Sequence, residues 1–167
     1  AQALGSLNIV ASDLIHELQK ESGFSAGYLS SKGKKFSTDL TGQITQTDLQ
    51  LSQYQQVLNQ LNTANNSEQL INLIAAIDIK LNALNAIRLG VNEQSLQSKK
   101  MNDYYTKLNR SLLSINRLIS TLIQDHQIKK QMNAHLYLLQ NKELAGIERA
   151  LLSEAFAAKK NSVKQYN

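Results

Sequence analysis

Apolar residues recur at intervals of three and four along almost the whole chain, which is the spacing of helices that each bury one face. Small polar residues interrupt this pattern at residues 31–35, where Gly33 lies among lysines, and again at residues 62–67. The pattern predicts five helices, at about residues 4–30, 36–61, 68–94, 95–124 and 126–160. The predicted fold is all-α, an elongated antiparallel helical bundle with long first and last helices and a short, broken middle segment.

The third predicted helix is interrupted by polar residues. Asn82 and Asn85 break its apolar stripe. If both ends of the chain continue into membrane helices on one side, the number of long passes must be even. We therefore expect the chain to fold back at these asparagines and to form a short helix through Arg88. We also expect Asp125 to cap the last helix, and residues 125–130 to hold the reversal of the chain.

Two apolar stripes turn polar where further aliphatic residues are expected. The stripe of the first helix runs into Glu21 and Ser25, and that of the last helix runs into Glu143. A carboxylate on a core-facing stripe is costly unless it is paired, and Arg149 is the cation close by in the last helix. The two polar stretches are therefore expected to meet in a cluster that comprises Glu21, Ser22, Ser25, Glu143, Glu148 and Arg149.

This cluster has two interpretations, and the sequence leaves both open. In one, it is a buried network of ion pairs and hydrogen bonds that fixes the register of the helices. In the other, it lines a small-ligand pocket in the bundle core, where polar groups of facing helices converge.

Composition supports a helical protein of one domain. The chain has 167 residues, no proline and 5% aromatic residues, which favours helices over sheets. We take residues 1–167 as one domain, because this length supports one sizeable core and is short for two. There is no cysteine, which excludes disulfides and thiolate chemistry and suits a reducing cytoplasm and a periplasm equally.

The chain is basic, with a net charge of +5 and a pI near 9.4. Its lysines lie toward the predicted helix ends and in loops, and not along one helix face. There is no tryptophan, and aromatic residues do not alternate with basic ones as they do on surfaces that stack nucleic-acid bases. We therefore expect no nucleic-acid partner.

The chain lacks the patterns that mark an enzyme. Residues 23–27 match the Gly-x-Ser-x-Gly turn of hydrolases around Ser25, but this turn requires a strand before it, and here it lies inside a predicted helix. His16, His126 and His135 do not have the spacing of metal ligands. We predict no catalysis, no metal and no cofactor.

Two stretches resemble the signatures of the nitrate- and nitrite-sensing (NIT) domain family. Residues 18–25, Leu-Gln-Lys-Glu-Ser-Gly-Phe-Ser, are similar to the family's first-helix signature Leu-Gln-x-Glu-Arg-Gly-x-Ser. Residues 142–150, Lys-Glu-Leu-Ala-Gly-Ile-Glu-Arg-Ala, are similar to its last-helix signature Lys-Glu-x-x-Gly-x-Glu-Arg-Ala. Weaker similarities lie between them, around Asp48, Arg88 and Tyr105.

This resemblance implies a helical sensor domain. Most members of the family lie outside the inner membrane between two transmembrane helices and act as dimers, and their arginines are held to bind nitrate or nitrite. It predicts the periplasmic domain of an inner-membrane chemotaxis receptor, a homodimer anchored through flanking membrane segments, that binds a small molecule or a small anion. The implied ligand contacts are Arg88 and Arg149 for the anion, Ser22 and Ser25 as hydrogen-bonding groups, and Glu21, Glu143 and Glu148 as supporting residues.

Ser22 departs from the family's pattern, because the signature has an arginine at that position. A hydrogen bond from a charged donor contributes roughly 1.5–3 kcal/mol, so its loss predicts an anion affinity about ten- to a hundredfold lower. Two other classes of function remain alternatives. One is a cytoplasmic NIT-like regulatory domain joined to an RNA-binding or other output domain. The other is a structural dimerisation bundle with no small-molecule ligand of its own.

Overall fold

The computed structural model describes the chain from Gln2 to Gln165, and every regular element in that range is a helix. The predicted all-α class is confirmed. The chain divides into two compact units, one of residues up to Leu122 and one of residues from Ile123 onward. The elements are α1 (Gln2–Ser30), α2 (Ser37–Gln60), a short 3₁₀ turn (Thr63–Asn65), α3 (Glu68–Asn82), α4 (Leu84–Asn92) and α5 (Ser98–Gln165).

Side-chain hydrogen bonds fix the direction of α5 against α1 in the first unit. The amide of Asn116 donates to the backbone oxygen of Asn8 at 2.9 Å, and the hydroxyl of Ser22 donates to Asn102 at 3.5 Å. Later residues of α1 therefore meet earlier residues of α5, so the two helices run antiparallel.

The third pass of the bundle consists of α3 and α4 together. Leu58 of α2 and Ile74 of α3 line the same small apolar cavity, and Asp48 of α2 pairs with Arg88 of α4. From Ile74 to Arg88 the chain advances, while the facing residues of α2 go back from Leu58 to Asp48. Both α3 and α4 therefore run antiparallel to α2, in one direction. The predicted break is confirmed at Ala83, but the predicted fold-back is wrong. Ala83 keeps near-helical dihedral angles (φ −85°, ψ −9°), and helical hydrogen bonding resumes from its carbonyl.

The reversal predicted at residues 125–130 is also wrong, because α5 is continuous from Ser98 to Gln165. The prediction relied on Asp125 as a cap and on an even number of passes. From the start of α5 at Ser98 up to Gly146 the sequence contains neither glycine nor proline, so no residue in this stretch strongly opposes a continuous helix.

The core of the first unit follows the predicted stripes. In α1 the buried stripe continues from Leu14 and Leu18 into Glu21 and Ser25, as the sequence indicated. Burial of these aliphatic side chains contributes roughly 1.5–3 kcal/mol each. The buried apolar residues are Leu7, Ala11, Leu14, Leu18, Leu40, Tyr54, Leu70, Ile77, Leu81, Leu84, Val91, Met101, Tyr105, Leu108, Leu112, Ile115 and Ile119.

The span Glu68–Asn92 passes a test for membrane-crossing helices by length and composition, with a mean hydropathy of 1.5. Core helices of soluble bundles pass the same test. Here the span is broken at Ala83, and it carries Arg88 into ion pairs with two carboxylates of the bundle. In this fold it is the third pass of the first unit.

Apolar side chains of α5 in the second unit are exposed. Met132, Leu136 and Leu139 belong to the predicted apolar stripe of the last helix, and they have exposed fractions of 49–60%. Its expected burial was wrong, because the stripe was placed on a separate last helix that folds back, and that reversal does not form.

The connection between α1 and α2 brings an aromatic ring against a glycine. Phe36 precedes α2 with a left-handed backbone (φ 68°, ψ 11°), and its ring centroid lies 6.2 Å from that of Phe24. A Cβ atom on Gly27 would lie 2.6 Å from the nearest ring carbon of Phe36. Gly27 is therefore needed for this close approach, whereas a Cβ on Gly23 would have no neighbour within 4 Å.

Replacing Gly27 by alanine is expected to lower the free energy of unfolding by about 1 kcal/mol, because the steric cost exceeds the gain in helix propensity. The matched variant Gly23→Ala is expected to raise the free energy of unfolding by up to about 1 kcal/mol, since nothing opposes its added methyl group. Urea unfolding of both variants tests this pair. Equal effects of the two substitutions would contradict the described contact.

Candidate functional site

A buried carboxylate is the centre of the first unit's polar cluster. Glu21 has no solvent-exposed surface. Arg88 binds it with two nitrogens, Nη2 to Oε1 at 2.7 Å and Nε to Oε2 at 3.3 Å, and the hydroxyl of Tyr105 donates to Oε2. These charge-assisted hydrogen bonds offset the cost of burying the charge.

Arg88 also binds a second carboxylate, at the edge of the cluster. Its Nη1 donates to Oδ1 of Asp48 at 2.7 Å, and the Asp48 side chain is 54% exposed. Burial favours the neutral form of Arg88, but the hydrogen bonds and charges of Glu21 and Asp48 outweigh it and raise its pKa above the ordinary value. The cluster of one arginine and two carboxylates is net negative.

The guanidinium of Arg88 keeps donor capacity beyond these pairs. Of its five N–H groups, three are used in the hydrogen bonds to Glu21 and Asp48, counted among the residues that the structure describes. Two N–H groups remain for a further acceptor. Because Asp48 is half exposed, solvent screens its charge, and it is the weaker of the two partners of Arg88.

Two tyrosines of α5 complete the cluster. Burial raises the pKa of Tyr105 above its ordinary range, and the charge and hydrogen bond of Glu21 add to this, while Arg88 and Ser25 oppose it. Burial, with the Glu21 charge, raises the pKa of Tyr104 to about 12. The hydroxyl of Tyr104 donates to the backbone oxygen of Lys80 at 2.6 Å, which ties α5 to α3.

The raised pKa values of these two tyrosines predict a loss of stability at alkaline pH. In the unfolded chain a tyrosine ionises near pH 10.0, whereas in the folded chain Tyr104 keeps its proton to about pH 12. The unfolded state then binds fewer protons, so the free energy of unfolding falls as pH rises above 10. Urea unfolding between pH 8 and 12 measures this.

The variant Tyr105→Phe is expected to make this pH dependence shallower, because one buried phenol no longer contributes. Tyr137, which is 64% exposed, gives the control variant Tyr137→Phe, which removes a phenol outside the cluster and leaves the hydrogen bonds of Glu21 in place. An unchanged pH dependence in Tyr105→Phe would show that the phenol proton is not retained by the fold.

A polar clamp between α1 and α2 positions Asp48. The amide of Gln43 donates to the Glu17 carboxylate at 2.6 Å and to the Glu17 backbone oxygen at 3.1 Å. The hydroxyl of Thr47 also donates to that backbone oxygen, at 3.4 Å. Gln43 and Thr47 are buried, so they fix the register in which the next residue, Asp48, faces Arg88.

Ser22 lies at a polar cleft beside this cluster. Its hydroxyl makes two long contacts, 3.8 Å to the sulfur of Met101 and 3.5 Å to Asn102. The cleft has a volume of about 270 Å³ and contains no charged side chain in its lining. Its lining residues are Gln19, Ser22, Asn102, Tyr105, Thr106 and Asn109.

The structure brings together three of the predicted site residues, Glu21, Ser25 and Arg88, with Ser22 next to them. The cation that pairs with Glu21 is Arg88, and the expected pairing of Glu21 with Arg149 is corrected. The part of α5 alongside Glu21 is the part that carries Tyr105, because α5 does not reverse.

The remaining predicted site residues, Glu143, Glu148 and Arg149, belong to the second unit and have exposed side chains. The sequence interpretation omitted Asp48 and Tyr105 from the site. The sequence did contain a signal for both residues, because the weaker similarities to the NIT family lie around Asp48 and Tyr105 as well as around Arg88. No group of three metal-binding side chains occurs among residues 2–165.

Two characterised proteins are similar to this chain. The Nitrate regulatory protein of Klebsiella oxytoca is 31% identical over 153 residues, which cover 92% of this chain and 38% of that protein. The solved structure of the NasR transcription antiterminator matches with a TM-score of 0.65 and 27% identity, over 68% of this chain and 30% of that one. This chain thus spans well under half of the length of either relative.

These relatives overturn several predictions about the whole protein. The periplasmic location, the chemotaxis-receptor function, the membrane anchoring and the absence of a nucleic-acid partner were wrong, since the relatives are a nitrate regulatory protein and a transcription antiterminator. The physical reason is that both signatures belong to the sensor helices. They carry no information about the domain to which those helices are attached.

The family model described as nitrate and nitrite sensing, NIT, matches residues 13–167. This range includes both signatures, around Glu21 and around Arg149, and the intervening helices that carry Asp48, Arg88 and Tyr105. The resemblance stated from the two signatures is confirmed, and the chain belongs to the NIT family of nitrate- and nitrite-sensing domains.

Proposed function

We propose that this chain is the input domain of a regulatory protein and responds to nitrate or nitrite, with no catalytic activity of its own. The observation that carries the proposal is the family match over residues 13–167. The names of the two relatives support an output in the control of transcription, which is the arrangement of a cytoplasmic regulator joined to a separate output domain. In this proposal, residues 1–167 act as one ligand-sensing domain.

Arg88 is the proposed anion contact in the first unit. Nitrate and nitrite are small, flat oxyanions, and a guanidinium offers coplanar donors that match them. Two N–H groups of Arg88 do not bond to Glu21 or Asp48, which supports this role. The half-exposed position of Asp48 supports it as well. Ser22 and Ser25 are proposed as hydrogen-bonding groups next to the anion, and Glu21 as the residue that orients Arg88.

The proposed mechanism is an exchange of partners. When an anion takes the place of Asp48 on Nη1, Arg88 keeps its two bonds to Glu21, and α2 loses its ion pair to α4. The response is a change in how α2 is held, and it reaches Tyr105 of α5 through the shared carboxylate of Glu21. Ligand binding thereby biases the position of a helix that continues into the second unit.

Arg149 is proposed as an independent anion contact in the second unit, supported by Glu143 and Glu148. Its side chain is exposed, so it is available to a ligand or to a partner. Its role is tested separately from that of Arg88, because each residue has its own variant.

A structural helical bundle is the second candidate function. The observation that favours it is that Glu21 and Asp48 already satisfy the charge of Arg88. In this alternative the cluster fixes helix register, and no anion displaces Asp48.

Calorimetric titration with nitrate and nitrite, with chloride as control, separates the two candidates. The sensor proposal predicts heat with nitrate or nitrite, and its loss in Arg88→Lys, which keeps the charge but lacks the planar fork. A further loss in Arg149→Ala would assign Arg149 to anion binding. A parent protein that gives no heat with either oxyanion would refute the sensor proposal and leave the structural bundle.

A further inference from the structure

Five exposed lysines lie in or next to the two connections at one end of the first unit. Lys32, Lys34 and Lys35 belong to the connection between α1 and α2. Lys99 and Lys100 open α5, immediately after the connection from α4. None of the five takes part in an ion pair among residues 2–165, so their charges face solvent.

The two connections contact each other. The hydroxyl of Tyr28 donates to the backbone oxygen of Asn92 at 3.4 Å, which joins the end of α1 to the end of α4. The side-chain amide of Gln94 lies directly against Gly33, so that a Cβ atom there would displace it. The lysines of both connections are therefore displayed at the same end of the bundle.

The connection between α1 and α2 has a fixed backbone. Each backbone N–H from Ser31 to Lys35 donates a hydrogen bond within the connection or to the end of α1. The last of these bonds runs from Lys35 to the hydroxyl of Ser31 at 3.0 Å. The lysine side chains thus project from a preorganised loop, which lowers the entropic cost of binding through them.

Phe36 places an aromatic surface next to these lysines. Phe36 is 43% exposed, and its ring also lies near Phe24 and Gly27. It follows Lys35 directly and has a left-handed backbone, a conformation that is costly for a residue with a large side chain. Exposed aromatic rings beside cations are the arrangement that binds single-stranded nucleic acids, by stacking and by phosphate contact.

Acidic residues near this end do not cancel its charge. Asp39 in α2, Glu93 after α4 and Asp103 in α5 are the nearby carboxylates, and they are fewer than the lysines. We propose that this end of the bundle binds the backbone of a single-stranded nucleic acid, with the lysines on phosphates and Phe36 under a base. The proposal goes beyond nitrate sensing and does not depend on it.

The test measures fluorescence anisotropy of labelled single-stranded RNA, and of DNA of the same sequence, over a range of salt concentrations. The triple variant Lys32→Gln, Lys34→Gln, Lys35→Gln is expected to bind about tenfold or more weakly. Its slope of log affinity against log salt is expected to be smaller by about 2, because three phosphate contacts are lost. A preference for RNA over DNA identifies the nucleic acid.

The matched control is Lys159→Gln, Lys160→Gln, Lys164→Gln, which removes the same charge from exposed lysines at the other end of the chain. It should bind like the parent protein. Phe36→Leu should weaken binding about fivefold with no change in salt slope, because only stacking is removed. Circular dichroism checks that all variants are folded.

Three outcomes would overturn the proposal. One is no binding by the parent protein at low salt, and another is an equal loss in the two triple variants, which would indicate general attraction to a basic chain. The third is competition by polyglutamate as strong as by RNA or DNA, which would assign the surface to an acidic polypeptide.

Discussion

Replacing Arg88 by alanine is expected to destabilise the first unit by about 3–5 kcal/mol, the cost of removing one partner from a buried ion pair. The substitution leaves the carboxylate of Glu21, which has no exposed surface, with only the hydroxyl of Tyr105 as donor. It also leaves Asp48 without its cation, but this carboxylate is half exposed and adds little. Urea unfolding measures the difference.

Two controls make this result interpretable. Arg110→Ala, at an exposed position of α5, should change the free energy of unfolding by no more than about 0.5 kcal/mol. The double variant Glu21→Leu, Arg88→Met should recover much of the lost stability, because it removes the unpaired buried charge together with its partner. A single Arg88→Ala variant as stable as the parent would show that the cluster does not bury a charged Glu21.

Restoring the family's first-helix arginine, Ser22→Arg, is expected to raise the affinity for nitrate about ten- to a hundredfold. A hydrogen bond from a charged donor contributes roughly 1.5–3 kcal/mol, and the new guanidinium also reduces the net negative charge around Arg88. The cleft beside Ser22 holds about 270 Å³ and is lined by neutral groups, so the longer side chain has room. Calorimetric titration of both proteins gives the affinity ratio.

Ser52→Arg is the matched control, because Ser52 is an exposed serine of α2 outside the cleft. It adds the same charge to the chain and should leave the nitrate affinity within about twofold, a difference of only a few tenths of a kcal/mol. If both arginine variants raise the affinity equally, the effect comes from net charge and the cleft is not part of the anion site.

The sequence indicated the buried polar stripe because helical periodicity alone places Glu21 and Ser25 on the face of Leu14 and Leu18. It could not identify the partner of Glu21. Arg88 and Arg149 are both on helices, and only the path of the chain decides which one comes within reach. That path was predicted by requiring an even number of long helical passes, which assumed membrane helices at both ends of the chain.

The continuity of α5 shows why helix ends are harder to predict than helix faces. Asp125 has the side chain of a good cap, but a cap residue also fits in a helix when no glycine or proline follows closely. Asp48 was omitted from the site for a related reason. Its neighbour Thr47 is buried on the inner face of α2, whereas a half-exposed carboxylate at the edge of a buried cluster gives no periodic signal in the sequence.

The most direct test of the account is a ¹H–¹⁵N NMR titration of the chain with nitrate, followed through the Nε–H resonance of Arg88 and the backbone of α2 and α4. The account predicts that the Arg88 resonance shifts in a saturable manner, together with the backbone resonance of Asp48, and that chloride produces no such shift. Shifts confined to residues 123–165, or none at saturating nitrate, would contradict the assignment of Arg88 as the anion contact.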